Sequence, residues 1–297
     1  MCSQGQKYPG NKTGKLRIVL WLLVAIYAFS LPYAIIVYDI ISSRWSPAFA
    51  GAVPRIIIIS AGAAYLFYCA KTYLSLRRIS FLIPCAIIAF LIIYLEPNPN
   101  KHIHIPEYAL MAWLLFEAIR IDYSGAGIFA LVFFGSSLLG VFDEVMQGIH
   151  TTRYYGWQDM LNNSCSSLIG VLSLMGLREN HRVEIDWIYQ FKKMTSSFLI
   201  ILFGLLNAAV SCVMLFKIKD HHDLWNFYPG WLIALNILFV IMAFVVLCRL
   251  CRYTMRCRDD IQKPGKTAFL WASLPLAILM LINSAIIYSW VWDVPFQ

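Results

Sequence analysis

The sequence predicts an all-α fold: a polytopic transmembrane helix bundle of about nine spans, with the N-terminus inside and the C-terminus outside. Three observations predict it. Hydrophobic residues make up 60% of the chain and charged ones 13%, with a mean hydropathy of +0.67, whereas soluble domains carry about 25% charged residues. Nine apolar runs reach or approach the roughly 20 residues that a helix needs to cross the hydrocarbon core. Basic residues concentrate in alternate connecting segments, as the positive-inside rule requires.

The runs lie near 18–38, 54–74, 79–95, 105–120, 127–149, 158–177, 196–216, 229–248 and 268–292. The first follows a basic stretch but is too long for the apolar part of a signal peptide, so it reads as a retained helix. The third and fourth are short enough to be tilted or partly re-entrant. Pro32, Pro84 and Pro275 fall inside runs and are expected to kink them, which helices in a membrane bundle tolerate. Asn207, Asn236 and Asn283 are the lone amides of the last three runs, and such amides usually bond to a neighbouring helix. The longest polar stretch between runs divides the chain. Residues 1–78 form a basic tail and two helices, 79–178 a four-helix core, 179–195 a cytoplasmic linker and 196–297 a three-helix membrane region.

Charge placement sets the orientation. Of the 24 Lys and Arg residues, only Arg44, Arg55, Lys101, Arg153, Lys217 and Lys219 fall on the outer side. The net charge of +8 therefore describes topology, with contact to anionic lipid head groups as a second role. Nucleic acid is not an expected partner; membrane lipids are. The eight cysteines do not read as a disulfide framework. Cys69, Cys85, Cys165 and Cys212 lie in apolar runs as small hydrophobes. Cys248 and Cys251 form a C-x-x-C near Cys257, but a second ligand pair for zinc is missing.

Ionisable groups at membrane depth are costly and mark function. Here they gather around the fourth, fifth and sixth runs, at the outer side. The fifth run ends with Asp143, Glu144, Gln147 and His150. Asp143, Gln147 and His150 share a helical face, while Glu144, about 100° away, faces a different neighbour. Arg153 is the one base of the following loop. The sixth run opens with Asp159 and Asn163 on one face, followed by the small residues Ser166, Ser167 and Gly170. Asp159 taken alone also suits an N-cap. Ahead of the fourth run stand Lys101, His102 and His104, then Pro106, Glu107 and Tyr108. A helix starting near Lys101 would align Lys101, His104 and Tyr108; one starting at Pro106 would leave the first two in a loop. Glu117 and Arg120, at the inner end of the fourth run, are spaced for a structural pair.

From Lys101 to Gly170 this pattern resembles the VanZ-like family of bacterial integral membrane proteins. The likeness rests on K-x-x-H-x-x-x-Y (Lys101, His104, Tyr108) and D-E-x-x-Q (Asp143, Glu144, Gln147), followed by Arg153, Asp159, Asn163 and Gly170 at fixed spacings. It covers roughly a third of the chain, within residues 79–178. Ser166 stands where the family usually has glycine. The resemblance implies a multi-pass protein of the bacterial cytoplasmic membrane and cell envelope. The family's name comes from a protein associated with low-level resistance to the glycopeptide antibiotic teicoplanin.

The expected function is a non-enzymatic one: an outward-facing polar site binding an amphiphilic envelope ligand. A lipid-linked cell-wall precursor, a phospholipid or a lipoglycopeptide would suit it. Lys101 and Arg153 would meet its acidic groups, and Tyr108, Tyr154, Tyr155 and Trp157 would form an aromatic rim. The alternative is a membrane-embedded hydrolase or transferase. There, Asp143, Glu144, Asp159 and His104 would hold a divalent cation or share acid–base work, although no recognised catalytic motif is present. No cofactor is otherwise expected. A transporter fits less well, because the acids lie on one side only. A purely structural network of Asp143, Asp159 and Arg153 is the remaining reading.

Overall fold

The computed structural model describes residues 10–72, 75–121, 127–149, 156–178, 195–218, 227–256 and 264–292. These residues form ten α-helices and two 3-10 turns, with no strand among them. The helices are α1 (Gly10–Ser30), α2 (Ala34–Arg44), α3 (Pro47–Thr72), α4 (Leu76–Leu95), α5 (His104–Ile119), α6 (Ile128–Ile149), α7 (Trp157–Leu177), α8 (Thr195–Lys217), α9 (Gly230–Arg256) and α10 (Pro264–Trp292). Among the described residues, seven helical stretches are long and apolar enough to cross a membrane; α1 and α2 count as one such stretch, Gly14–Arg44, and α5 is not one of the seven. At 16 residues, α5 is only about 24 Å long.

Pro32 does break the first apolar run. It sits in the 3-10 turn Leu31–Tyr33, beyond which α2 continues to Arg44. Pro84 and Pro275 are instead accommodated inside α4 and α10, and Pro54 inside α3. The second 3-10 turn, Pro99–Ile103, ends where α5 begins at His104. The helix start thus falls between the two registers that the sequence allowed: Lys101 belongs to the turn and His104 to the first helical position.

The short helix α5 is the central one. On α5, Ile105, Tyr108, Met111, Ala112, Leu115 and Phe116 are all buried, packed against α1, α6 and α7. Its contact with α7 is close because Gly170 lies against it. A Cβ there would stand 2.5 Å from the Ala109 carbonyl oxygen and 2.8 Å from the Ala112 Cβ. Gly140 does the same for α6, where a Cβ would meet Asn163 and Tyr108 at 2.9 and 3.1 Å. Small residues permit such approach, and in lipid, packing and hydrogen bonds rather than hydrophobicity hold helices together.

Polarity is correspondingly turned inward. Asn162, Asn163, Ser166 and Ser167 of α7 are buried, whereas Leu161 beside them is exposed. Phe29, Ile59, Phe90, Leu206 and Phe244 likewise present large apolar side chains outward. A surface of this kind suits hydrocarbon rather than water.

The last three helices form their own contacts, and α10 docks them on α6. Leu215, Leu232, Ala285 and Ile286 share a buried cluster with Val141 and Met160. The expected amide bonds are present. Asn207 Nδ2 donates to Asn283 Oδ1 at 2.8 Å, and Asn236 Nδ2 to Ser211 Oγ at 3.2 Å. Glu117 pairs with Arg120 as its spacing implied, and also with Arg178 of α7's C-cap at 3.0 Å.

Candidate functional site

The polar residues converge at one end of the bundle, where α4, α6 and α1 finish and α5 and α7 begin. Helix ends bring them there. Glu96 is the C-cap residue of α4, Lys101 lies in the following turn, and His104 and Glu107 open α5. Asp143, Glu144 and Gln147 lie in the last turns of α6, and Asp159 in the first turn of α7.

Most of the pairs cross between elements. Lys101 Nζ donates to Asp159 Oδ2 at 2.8 Å and stands 4.0 Å from Glu96 Oε2. Burial pulls the Lys101 ammonium down, but Asp159 foremost, with Glu96 and Glu144, pulls it up, leaving its pKa above the ordinary lysine value. Tyr108 donates its hydroxyl to Asp143 Oδ2 at 2.7 Å, and Gln147 Nε2 donates to the same oxygen at 3.1 Å. Asn163 Nδ2 donates to Glu144 Oε1 at 3.2 Å. Adjacent carboxylates on α6 thus face α5 and α7 respectively, as their 100° offset implies. His104 Nδ1 lies 3.4 Å from Glu107 Oε2, and Tyr27 of α1 donates to the Glu107 carbonyl at 3.0 Å.

Several expectations change. Tyr108 is fully buried rather than part of an aromatic rim, because its hydroxyl is needed by Asp143 beneath the surface. Asp159 does not cap α7. Gly156 is the N-cap residue, and Asp159, two residues inside the helix, spends one carboxylate oxygen on Lys101. Ser166 is buried and donates to the Asn162 carbonyl at 2.6 Å. The four candidate metal ligands do not form a set. His104, Asp143, Glu144 and Asp159 each turn to a separate partner, and no three His, Cys, Asp or Glu residues among those described are grouped to hold a metal ion. Arg153, with His150, Tyr154 and Tyr155, lies outside the described residues, as does the side chain of Trp157 and most of the linker 179–195.

Two residues gain importance. Glu96 is 5% exposed; its carboxylate accepts from the Asn98 amide at 2.9 Å and Gln158 Nε2 at 3.4 Å. His102 is also buried, with Nε2 2.9 Å from the Glu96 carbonyl oxygen and Nδ1 accepting from Arg55 Nε of α3 at 3.5 Å. Their signal was present in sequence, as an acid closing an apolar run and a second histidine beside His104.

Two cavities adjoin this network. One, of about 280 Å³, is lined on its polar side by Asn98, Lys101, His104, Glu107, Gln147 and Asp159, and on its apolar side by Leu31, Pro32, Ala34 and Ile35. The other, of about 550 Å³, is wholly apolar; Trp21, Ala25 and Phe29 of α1 face Leu115, Leu138 and Phe142 across it. The two volumes follow one another from α1 into the 3-10 turn Leu31–Tyr33, and along α6. Phe29 is two residues from Leu31, and Phe142 five from Gln147, about 7.5 Å along a helix axis. Comparison with known protein families, curated proteins and solved structures found no match.

Proposed function

We propose that this chain is a VanZ-like integral membrane protein of the bacterial cell envelope that binds an amphiphile at the outward end of its bundle. The polar head enters the cavity beside Lys101, His104 and Asp159, and the apolar chain lies in the groove between α1 and α6. The observation that carries this reading is the succession of a polar cavity, walled by the 3-10 turn Leu31–Tyr33 that follows α1, and an apolar groove beside α1, with α5 and α6 contributing to both. A soluble substrate has no use for the second, and a bare acyl chain has none for the first. The apolar wall at Leu31–Ile35 joins the two chemistries, and the 3-10 turn around Pro32 forms it. A phospholipid, a lipid-linked wall precursor and a lipoglycopeptide all have this amphiphilic form.

The test is retention of lipid by the purified protein. Ala34→Trp fills the polar cavity and Ala28→Trp the groove; both residues line these volumes. Each variant should remain folded in detergent and lose the amphiphile that co-purifies with the parent chain. Retention equal to the parent chain's in both variants overturns the reading. If the family likeness extends to phenotype, expression should raise tolerance to glycopeptides such as teicoplanin, and both variants should abolish that gain.

One observation favours a second reading, a hydrolase or transferase. His104 Nδ1 stands 3.4 Å from Glu107 Oε2, and both residues line the polar cavity, which puts a carboxylate beside the imidazole as a general base requires. Incubation with labelled lipid-linked wall precursor, with and without a chelator, separates the two. Turnover supports the enzyme, and stoichiometric retention without product supports the binder.

A further inference from the structure

We propose that the apolar groove takes one linear acyl chain to about the depth of a single leaflet, so that the amphiphile is an acyl phospholipid rather than a polyprenyl-linked precursor, and that Gly135 keeps the groove open to that depth. This rests on the amphiphile reading and names the class of its apolar part.

Length and volume agree on one such chain. The α6 wall of the groove runs from Phe142, at the end nearer the polar cavity, to Leu131, about 16 Å along the axis. The α1 wall runs from Phe29 to Trp21, about 12 Å. The hydrocarbon core of a bilayer is about 30 Å thick, so the groove has roughly the depth of one leaflet. An extended chain advances about 1.2 Å per bond, as an extended backbone does over its three bonds per residue, which sets roughly 10 to 14 carbons against these walls. A methylene takes up about the room of a liquid water, roughly 30 Å³, so a volume of about 550 Å³ holds about 18 of them. A polyprenyl carrier is several times longer and branched by methyl groups. A second chain of the same phospholipid finds no room and stays in the bilayer.

Gly135 is an independent sign. It lies on the groove wall between Leu131 and Phe142, about 10 Å from Phe142. Gly140 and Gly170 have a packing reason to lack a side chain, since a Cβ would meet a neighbouring helix at 2.9 Å and 2.5 Å respectively. At Gly135 a Cβ would meet only Leu115 Cδ1 among the described residues, at 3.6 Å, an ordinary contact. Helix interiors disfavour glycine, so what this one supplies is room. The α1 wall of the same groove also carries small residues, Ala25 and Ala28.

The experiment uses the full chain in detergent micelles, with bound lipid read by native mass spectrometry. The probes are linear alkyl phosphates from octyl to octadecyl and a long-chain polyprenyl phosphate, which share one head group and differ only in the chain. Gly135→Phe blocks the groove about 10 Å from its Phe142 end. It should bind octyl phosphate as the unmodified chain does and hexadecyl phosphate about tenfold or more weakly, since each buried methylene is worth about a factor of four. Partition into the micelle is common to both proteins and cancels in that ratio. Ala25→Phe, from the α1 wall, should likewise cost more as the chain lengthens, so a fold lost in one variant leaves the other to decide. A loss equal at every chain length, or no loss in either variant, overturns the depth assigned to the groove. Polyprenyl phosphate held by the unmodified chain as tightly as hexadecyl phosphate overturns the acyl class and leaves the amphiphile reading standing. Binding unaffected by Ala28→Trp at every chain length overturns both. Because the comparison of the two chain classes is made on the unmodified protein, instability of the variants does not shelter the proposal.

Discussion

The helices α4–α7 and the helices α8–α10 both bury polar side chains in a bundle, but they do so with different chemistry. In α8–α10 the buried groups are neutral: Asn207 meets Asn283, and Asn236 meets Ser211, with clusters of leucine, isoleucine and phenylalanine around them. Neutral pairs of this kind hold helices in register at about 1 kcal/mol or less each. In α4–α7 the buried groups include four carboxylates, at Glu96, Asp143, Glu144 and Asp159, gathered with the partly buried Glu107 at one end beside a cavity. Amides suffice to join helices, so the expense of desolvating carboxylates is unexplained by cohesion alone. On the proposed function, the contrast separates a region that is polar in order to pack from one that is polar in order to bind.

Several substitutions break or sharpen that contrast. The largest effect is expected at the α5–α7 seam. Gly170→Leu would force a side chain into the Ala109 carbonyl and Ala112, and a cost of about 3 kcal/mol or more should remove the folded protein from the membrane fraction. Next, Tyr108→Phe takes a donor from the buried Asp143 carboxylate. It should cost about 1–3 kcal/mol, lowering Tm and reducing lipid retention together. Asn283→Leu breaks the amide pair with Asn207. It should lower Tm by an amount corresponding to about 1 kcal/mol and leave lipid retention unchanged. Loss of retention in Asn283→Leu, or full retention in Tyr108→Phe, would dissolve the distinction between the two regions.

The smallest effect concerns pH. The folded-state pKa of Lys101 lies above its ordinary value of 10.5. Its contribution to stability is therefore fully present below that value and is lost only as pH rises through the higher folded-state pKa. Thermal melts from neutral to moderately alkaline pH should show no transition attributable to the Lys101–Asp159 pair. Lys101→Gln should remove the pair at every pH in that range, with a modest fall in Tm because the lysine is partly solvated.

Much of the architecture was legible along the chain because a membrane simplifies the physics. Apolar length determines a span, and an ionisable group inside one is conspicuous by its cost. The all-helical fold, the gathering of Lys101, His104, Asp143, Glu144, Asp159 and Asn163 at one end, and the separate directions of Asp143 and Glu144 all follow from such local rules. Tyr108 was misjudged as a rim aromatic because an aromatic near a helix end has two equally good places, the interface and a buried hydroxyl bond, and its partner is 35 residues away. Glu96 and Glu107 were visible as acids, but their importance depends on neighbours 62 and 80 residues distant, Gln158 and Tyr27.

The sequence by itself determined that the chain is helical and apolar enough for repeated membrane spans, which residues are too costly to be idle, and which share a helical face. Those properties depend on composition and on a repeat of 3.6 residues, both local. The tertiary structure alone decided the pairing of Lys101 with Asp159, the placing of the 3-10 turn at Pro32 against a cavity, and the burial of Asp159 Oδ1 without a described partner. These depend on the distances between helix ends remote in sequence, set by how closely glycines at 140 and 170 let α5, α6 and α7 approach.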